Sequence, residues 1–140
     1  MKKNILALTL MIISVYPLFS QDTLFFNQFW IKTTKDSASF YRIVSDTSYY
    51  FKIKDYYLSG IPQMIGYSLK KDSIQKLGRI YYYYDNGELK SIQNYELNKL
   101  NGQSVYYYKN GKVKYEINFE NNKKIGELKG YYRNGFSVAF

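Results

Sequence analysis

Short runs of aromatic and aliphatic residues alternate with polar clusters from residue 21 to residue 55. The apolar runs Leu24 to Ile31 and Phe40 to Val44 are followed by the polar runs Lys32 to Ser39 and Ser45 to Ser48. Runs of this length bounded by turn-forming residues are typical of β-strands. Beyond the first 20 residues, no long stretch has the apolar spacing of an amphipathic helix. The pattern predicts an all-β protein.

From Gly78 onward the sequence repeats at a fixed spacing of 24 residues. Glycine begins each unit, a Tyr-Tyr pair follows, and Asn-Gly closes the tyrosine run. A period of this size predicts a repeat array rather than a closed globular enzyme. We divide the array into units 78–101, 102–125 and 126–140, preceded by a degenerate unit, 55–77, with a short insertion near residues 70–73. Residues 21–54 are predicted to form a β capping segment.

Each Asn-Gly pair lies between two β-prone runs, which is a strong local signal for a β-hairpin. Asn86-Gly87 and Asn110-Gly111 are therefore predicted to form two-residue type I′ turns, in which both central residues have positive φ. A two-residue loop also sets the register of the strands. The predicted partners are Tyr84 with Leu89, Tyr83 with Lys90, Tyr108 with Val113 and Tyr107 with Lys114.

Alternation along these strands assigns side chains to the two faces of the sheet. One face is predicted to be apolar and to carry Ile80, Tyr82, Tyr84, Leu89, Tyr95, Val113, Tyr115, Ile117 and Phe119. The opposite face is predicted to carry Arg79, Tyr81, Tyr83, Lys90, Lys114, Glu96 and Glu120. Equivalent residues of successive units stack across the sheet. We expect Tyr84, Tyr108 and Tyr132 to form a ladder in the core, and Tyr83, Tyr107 and Tyr131 to form a second ladder on the surface.

The recurring pattern is Gly-x4-Tyr-Tyr-x-Asn-Gly, followed by an aromatic residue at Tyr95 or Phe119, then Asn-Lys and the next glycine. It resembles MORN-type repeats (membrane occupation and recognition nexus), in the variant found in bacterial YwqK-family antitoxins. The resemblance implies tandem β-hairpins that form an elongated antiparallel sheet. For function it implies binding rather than a known reaction.

The first 20 residues have the features of a secretory signal peptide. Lys2 and Lys3 precede an apolar stretch from Ile5 to Val15, and the small residue Ser20 marks a cleavage site. The apolar stretch is shorter than the roughly 20 residues that cross a bilayer. We therefore predict cleavage after Ser20, a mature chain without a transmembrane helix, and export to the periplasm, the outer envelope or the exterior.

The composition limits the chemistry that the protein can perform. The chain has 20 Lys and Arg, 11 Asp and Glu, no His and no Cys, for a net charge of +9. Removal of Lys2 and Lys3 would leave 9 − 2 = +7. Without histidine or cysteine, and with scattered acids, the sequence predicts no nucleophilic catalytic site, no metal and no cofactor. We predict a non-enzymatic protein.

The remaining candidate site is a surface. Tyrosines interleaved with basic residues favour recognition of acidic or polar partners, and the candidate residues are Tyr81, Tyr83, Lys90, Tyr107, Lys114, Tyr131 and Arg133. The expected partner is a protein, with a glycan or an anionic envelope surface as alternatives, and export disfavours nucleic acid. A glycan-processing alternative would use Glu96 and Glu120. The tyrosines also have a purely structural interpretation, as cross-strand contacts that stabilise the sheet.

The C-terminal residues 136–140 are apolar, and no further repeat follows to cover them. An uncovered strand edge can pair with another chain. An edge-strand homodimer is therefore a further prediction.

Overall fold

The computed structural model describes residues 22–71 and 73–137. The predicted signal peptide lies outside these residues, as do the last three residues of the predicted C-terminal edge strand. Within the described ranges the fold is all-β, with one short 3-10 helix at Lys35–Ser37. No helix there has the length and apolar character needed to span a membrane.

The strands form one open antiparallel sheet. In chain order they are β1 (Asp22–Phe26), β2 (Lys32–Thr33), β3 (Phe40–Asp46), β4 (Phe51–Tyr57), β5 (Pro62–Ser68), β6 (Lys76–Tyr83), β7 (Leu89–Glu96), β8 (Lys99–Leu100), β9 (Gly102–Tyr107), β10 (Val113–Glu120) and β11 (Lys123–Gly130). Across the sheet the order is β11-β10-β9-β7-β6-β5-β4-β3-β1-β2, and β8 pairs with β7. The predicted antiparallel architecture of successive hairpins is confirmed.

The prediction of type I′ turns at Asn-Gly is wrong. The amide of Gly87 donates to the carbonyl of Tyr84, the amide of Tyr84 donates to the carbonyl of Glu88, and only Gly87 in this loop has positive φ, at 86°. This is a three-residue loop with the geometry of a type I turn followed by a G1 bulge. The same pair of backbone bonds closes the loops at Tyr57–Gly60, Tyr108–Gly111 and Tyr132–Gly135.

The longer loop changes the predicted register only at the pair next to each loop, because a β-bulge in the second strand restores it from the pairs Tyr82–Ser91 and Tyr106–Tyr115 onward. Tyr83 pairs with Leu89 and Tyr82 with Ser91, so that Lys90 is an extra residue in a β-bulge. In the following hairpin Tyr107 pairs with Val113, and Lys114 is the extra residue. Of the two strands in each hairpin, the second therefore bends where the lysine lies.

Type I′ turns do occur, but at the opposite ends of the units. Leu97 and Asn98 have φ of 46° and 68°, and Asn121 and Asn122 have φ of 49° and 69°. Both pairs are two-residue loops, since the residues on either side of each pair are strand partners. The side chain of Asn122 also accepts a hydrogen bond from the amide of Leu100, at 2.7 Å, and thereby links this turn to the preceding unit.

The buried residues share one face of the sheet, which we call the core face. They are Val44, Ile53, Asp55, Met64, Ser68, Ile80, Ser91, Ser104, Ile117 and Phe119. Gly66 leaves room for Ile80 there, because a Cβ at Gly66 would lie 2.2 Å from the Cδ1 atom of Ile80. Packed against this core are Phe51, Ile74, Tyr82 and Tyr95. The predicted apolar face is thus the core face for Ile80, Tyr82, Tyr95, Tyr115, Ile117 and Phe119.

The two ends of the sheet differ. At the N-terminal end the Trp30 ring stacks on Phe40, with ring centroids 4.8 Å apart, and β2 pairs with β1. At the C-terminal end β11 pairs with β10, and its residues from Lys123 to Lys129 are exposed. The isolated bridge between Tyr131 and Ser137 turns the chain back toward β11.

Candidate binding surfaces

The four tyrosines singled out from the sequence lie on the face opposite the core face, which we call the tyrosine face. Tyr81 and Tyr83 alternate with the core-face residues Ile80 and Tyr82, and Tyr107 and Tyr131 occupy corresponding positions of later units. All four are half-buried rather than fully exposed. Their direct cross-strand neighbours include aliphatic residues, since Tyr81 pairs with Ile92, Tyr83 with Leu89 and Tyr107 with Val113.

A row of directly paired residues crosses the centre of the tyrosine face. In order across the strands it contains Ile43, Lys54, Ile65, Tyr81, Ile92, Val105, Glu116 and Lys129. Its middle four members are apolar or aromatic and half-buried. Charged residues lie toward both ends. This central row was not foreseen, because it depends on pairing between units as well as within hairpins.

The carboxylate of Glu116 accepts hydrogen bonds from two side chains at the C-terminal end of this face. The hydroxyl of Tyr131 donates to Glu116 at 3.3 Å, and the amide of Gln103 donates to the other carboxylate oxygen at 2.8 Å. Burial and the Glu116 charge raise the pKa of Tyr107 above its ordinary value. Glu116 is therefore held in a polar cluster on the tyrosine face.

The tyrosines that open the hairpin loops form hydrogen bonds between units. The Tyr57 hydroxyl donates to the carbonyl of Tyr83 at 3.1 Å, that of Tyr84 to Tyr107 at 2.8 Å, and that of Tyr108 to Tyr131 at 2.9 Å. We call these bonds the tyrosine staples. They lie at the loop edge of the sheet, and Tyr132, at the end of the series, is 56% exposed. The prediction that Tyr84, Tyr108 and Tyr132 form a buried ladder is therefore wrong.

The predicted basic residues lie at this loop edge rather than beside Tyr81 and Tyr83. The Lys90 and Lys109 ammonium groups are 5.8 and 5.5 Å from the Tyr84 ring centroid. In the next unit Lys114 and Arg133 are 5.7 and 5.8 Å from the Tyr108 ring. A groove of about 370 Å³ lies between the loops Tyr108–Gly111 and Tyr132–Gly135. It is lined by Tyr108, Lys109, Asn110 and Arg133. The predicted site thus divides into a tyrosine face and a cationic loop edge.

The core face carries a polar cluster that the sequence analysis did not select. Arg42 donates to both carboxylate oxygens of Asp55, at 2.6 and 2.8 Å, and Asp55 is only 1% exposed. Burial raises the pKa of Asp55 above its ordinary value, although the guanidinium opposes the shift. In the sequence, Asp55 alternates with Phe51 and Ile53, so it lies on the apolar face of a strand. An acid at such a position is the sequence feature that could have identified this cluster.

A second part of the cluster surrounds Tyr82. Its hydroxyl accepts a hydrogen bond from the Lys76 ammonium at 2.7 Å, and Lys76 also lies 4.8 Å from the Tyr95 ring centroid. Burial, reinforced by the neighbouring Tyr95, raises the pKa of Tyr82 strongly. The Tyr95 hydroxyl in turn donates to Gln93. These groups form an ordered polar surface on the core face.

The arrangement gives no support to a hydrolytic pair at Glu96 and Glu120. Both side chains are exposed, and each precedes one of the type I′ turns in successive units. Two strand spacings, about 10 Å, separate their strands. Ser68, which opens a Ser-x-x-Lys pattern, is fully buried and hydrogen-bonded to the backbone of Lys70 and Gln75. In the described part of the chain, His, Cys, Asp and Glu form no cluster of three that can hold a metal.

Comparison with known protein families identifies the repeated segments. Residues 76–97 and 100–121 each match the family described as MORN repeat variant. The two matches begin at residues 76 and 100, one hairpin apart in the sheet, and they contain β6–β7 and β9–β10. No curated protein and no solved structure matches the chain. These two segments are thus similar to MORN-type repeats, a kind of repeat generally associated with protein and membrane interaction.

Proposed function

We propose that this MORN-type repeat protein is exported and acts, without catalysis, as a scaffold that binds a partner protein on its tyrosine face. The supporting observation is the central row, which runs directly across the sheet from Ile43 to Lys129. Lys54 flanks its apolar middle on one side, and Glu116 and Lys129 flank it on the other. This is the distribution of a protein interface, with an apolar centre and a polar rim. Tyrosine adds large contact area and a hydroxyl at low entropic cost.

The sheet is a suitable support for such an interface because its principal contacts are between neighbouring strands. The tyrosine face is therefore available along the length of the array. Lys52, Lys54 and Arg79 border its apolar centre, and the whole chain is strongly basic. The expected partner is a protein with an apolar patch flanked by acidic side chains.

Export rests on the N-terminal sequence alone and is part of the proposal. If it holds, the likeness to YwqK-family antitoxins concerns the repeats and not their task, because an exported protein does not meet a cytoplasmic toxin. Expression of the full chain with a C-terminal tag, followed by fractionation and N-terminal sequencing, tests this point. A mature protein that begins at Gln21 in the exported fraction supports it, and an uncut cytoplasmic protein contradicts it.

The binding proposal is tested by charge placed in the central row. The double variant Ile92→Glu, Val105→Glu should lose a partner that the unaltered chain captures from the exported fraction. The control is the double variant Leu58→Glu, Leu97→Glu, which places the same two negative charges on exposed loop residues outside the central row. Each captured sample is treated with protease, which degrades a protein partner, and separately with high salt, which releases a partner held only by exposed charges. Equal capture by the central-row variant and the control would overturn the proposal.

A second candidate function is attachment to an anionic envelope polymer or glycan through the cationic loop edge. The observation that favours it is the pairing of two cations with each of the Tyr84 and Tyr108 rings beside the groove. Exposed charges are screened by salt. Attachment by this edge should weaken as ionic strength rises, and should fall in Lys114→Gln, Arg133→Gln while persisting in the central-row variant. Salt-independent retention would exclude it.

A further inference from the structure

The cavity on the core face near the N-terminal end of the sheet has a volume of about 230 Å³. It lies over the polar cluster, with Arg42, Asp55 and Lys76 on its wall. Trp30, Met64 and Ile74 supply apolar surface beside these charged groups. The volume is below the roughly 300–1,000 Å³ typical of sites for drug-sized ligands. Its occupant must therefore be small and must have both a polar and an apolar part.

The charges on this wall do not balance. Asp55 is matched by the two hydrogen bonds from Arg42. Lys76, which is half-buried, makes its hydrogen bond to the neutral hydroxyl of Tyr82 and otherwise lies against aromatic rings. Within residues 22–71 and 73–137, no carboxylate forms an ion pair with it. The three charged groups sum to +1, which leaves one positive charge for a ligand to neutralise.

Gln63 supplies a second donor at the cavity. It is the extra residue of a β-bulge, since Asp55 pairs with Met64 and Tyr56 with Pro62. A bulge redirects the side chain of its strand, and the Gln63 side chain lines the cavity without a hydrogen bond to any described residue. In the later units the corresponding bulge residues are Lys90 and Lys114. The amide is therefore a local feature of this cavity.

We propose that the cavity binds a small organic monocarboxylate with an apolar tail. One carboxylate oxygen accepts from the Lys76 ammonium and the other from the Gln63 amide. The tail packs on Met64, Ile74 and the edge of the Trp30 indole. A single negative charge neutralises the excess of +1, whereas a phosphate dianion would leave an uncompensated charge in a half-buried position. This site lies on the opposite face from the central row and does not depend on the proposed scaffold function.

Trp30 makes the proposal directly testable, because it is the single tryptophan of the chain and lines the cavity. Titration of the protein with hexanoate should give a saturable change in tryptophan fluorescence. Hexanol serves as the neutral probe and inorganic phosphate as the alternative anion, and both should bind at least tenfold more weakly. Equal binding of hexanol, stronger binding of phosphate, or no saturable change with hexanoate would each overturn the proposal.

Variants locate the binding at Lys76. Lys76→Met should weaken hexanoate binding at least tenfold, because a charge-assisted hydrogen bond is lost, and Lys76→Arg should retain most of it. Lys124→Met is the matched control, since Lys124 lies two units further along on exposed strand β11. Near-ultraviolet circular dichroism checks that each variant is folded. Retained binding in a folded Lys76→Met protein would assign the fluorescence change to another site.

Discussion

The hydroxyl of Tyr84 donates a hydrogen bond to the main-chain carbonyl of Tyr107, 2.8 Å away, and so joins the loop of one hairpin to the first strand of the next. Replacing Tyr84 by phenylalanine should lower the free energy of unfolding by about 1 kcal/mol, the usual net value of such a bond. The control is Tyr132→Phe, because Tyr132 is exposed and follows the series of staples. Urea denaturation measures both. Equal losses in the two variants would show that the staple contributes nothing specific.

The type I′ turn at Leu97-Asn98 contains a leucine at φ 46°, where the next unit has Asn121 at φ 49°. Left-handed backbone is costly for most L-residues and cheaper for asparagine. Leu97→Asn should therefore stabilise the protein by about 0.5–1 kcal/mol, since the leucine is 66% exposed and loses little burial. The reciprocal change, Asn121→Leu, should destabilise it by a similar amount. Thermal melts of both variants check the opposite signs.

Gly66 and Ile80 are in close contact on the core face. Gly66→Ala should destabilise the protein by about 1–3 kcal/mol, because the new methyl group overlaps the Cδ1 atom of Ile80. Ile80→Val removes that atom and alone should cost about 0.5–1.5 kcal/mol. The double variant should be more stable than the sum of the single changes predicts. Additive losses in a denaturant series would contradict the proposed overlap.

Ser68 and Ser104 are both fully buried but differ in their bonding. The Ser68 hydroxyl donates to the Lys70 carbonyl and accepts from the amides of Lys70 and Gln75. The Ser104 hydroxyl has no partner among the described residues. Ser68→Ala should cost about 1–3 kcal/mol, and Ser104→Ala should be neutral or stabilising. The unfolding free energies of the two alanine variants test these expectations. A large loss of stability in Ser104→Ala would contradict the second one and would indicate that a bound water satisfies the hydroxyl.

The buried carboxyl of Asp55 makes the free energy of unfolding depend on pH, and its raised pKa sets the sign of that dependence. Burial raises the pKa of this carboxyl above 3.8, so between the unfolded and folded pKa values the folded chain binds more protons than the unfolded chain. Its contribution to stability therefore falls as the pH is raised above about 4. The difference in unfolding free energy between the unaltered chain and Asp55→Asn should shrink over this range.

Asp85→Asn is the control for that measurement. The hydrogen bond with Lys109 lowers the pKa of Asp85. The contribution of Asp85 to stability should therefore be lost as the pH falls below the ordinary value of 3.8. Slopes of the same sign for the two aspartates would contradict the assignment of burial as the dominant effect at Asp55.

The all-β sheet and its faces followed from alternation, because a period of two in the apolar residues has one structural meaning. Ile80, Ile117 and Phe119 lie on the core face as predicted. The loop type did not follow, because a glycine with positive φ suits both a two-residue and a three-residue loop. The Asn86 side chain favours the longer loop here, since its carbonyl oxygen accepts from the amide of Glu88.

For the candidate site, the sequence predicted the face of the tyrosines but not the position of the basic residues. The choice of Tyr81, Tyr83, Tyr107 and Tyr131 gave the correct face, but Lys90, Lys114 and Arg133 lie near other tyrosine rings at the loop edge. The three-residue loops caused this difference, because they place Lys90 and Lys114 in bulges and Arg133 within a loop. The ion pair of Arg42 with Asp55 joins strands in the predicted cap and the degenerate unit. A search confined to the repeats could not find it.

The tyrosine staples also affect how such a chain can evolve by duplication of its repeat units. Each middle unit donates a hydroxyl to the unit after it and presents a carbonyl to the unit before it. A duplicated copy of residues 78–101, inserted in frame, would find both partners already in place. Duplication of that gene segment would lengthen the tyrosine face by two strands, about 10 Å, without creating an unmatched group. The span of the surface, and with it the size of partner that it accommodates, is therefore open to selection in whole units.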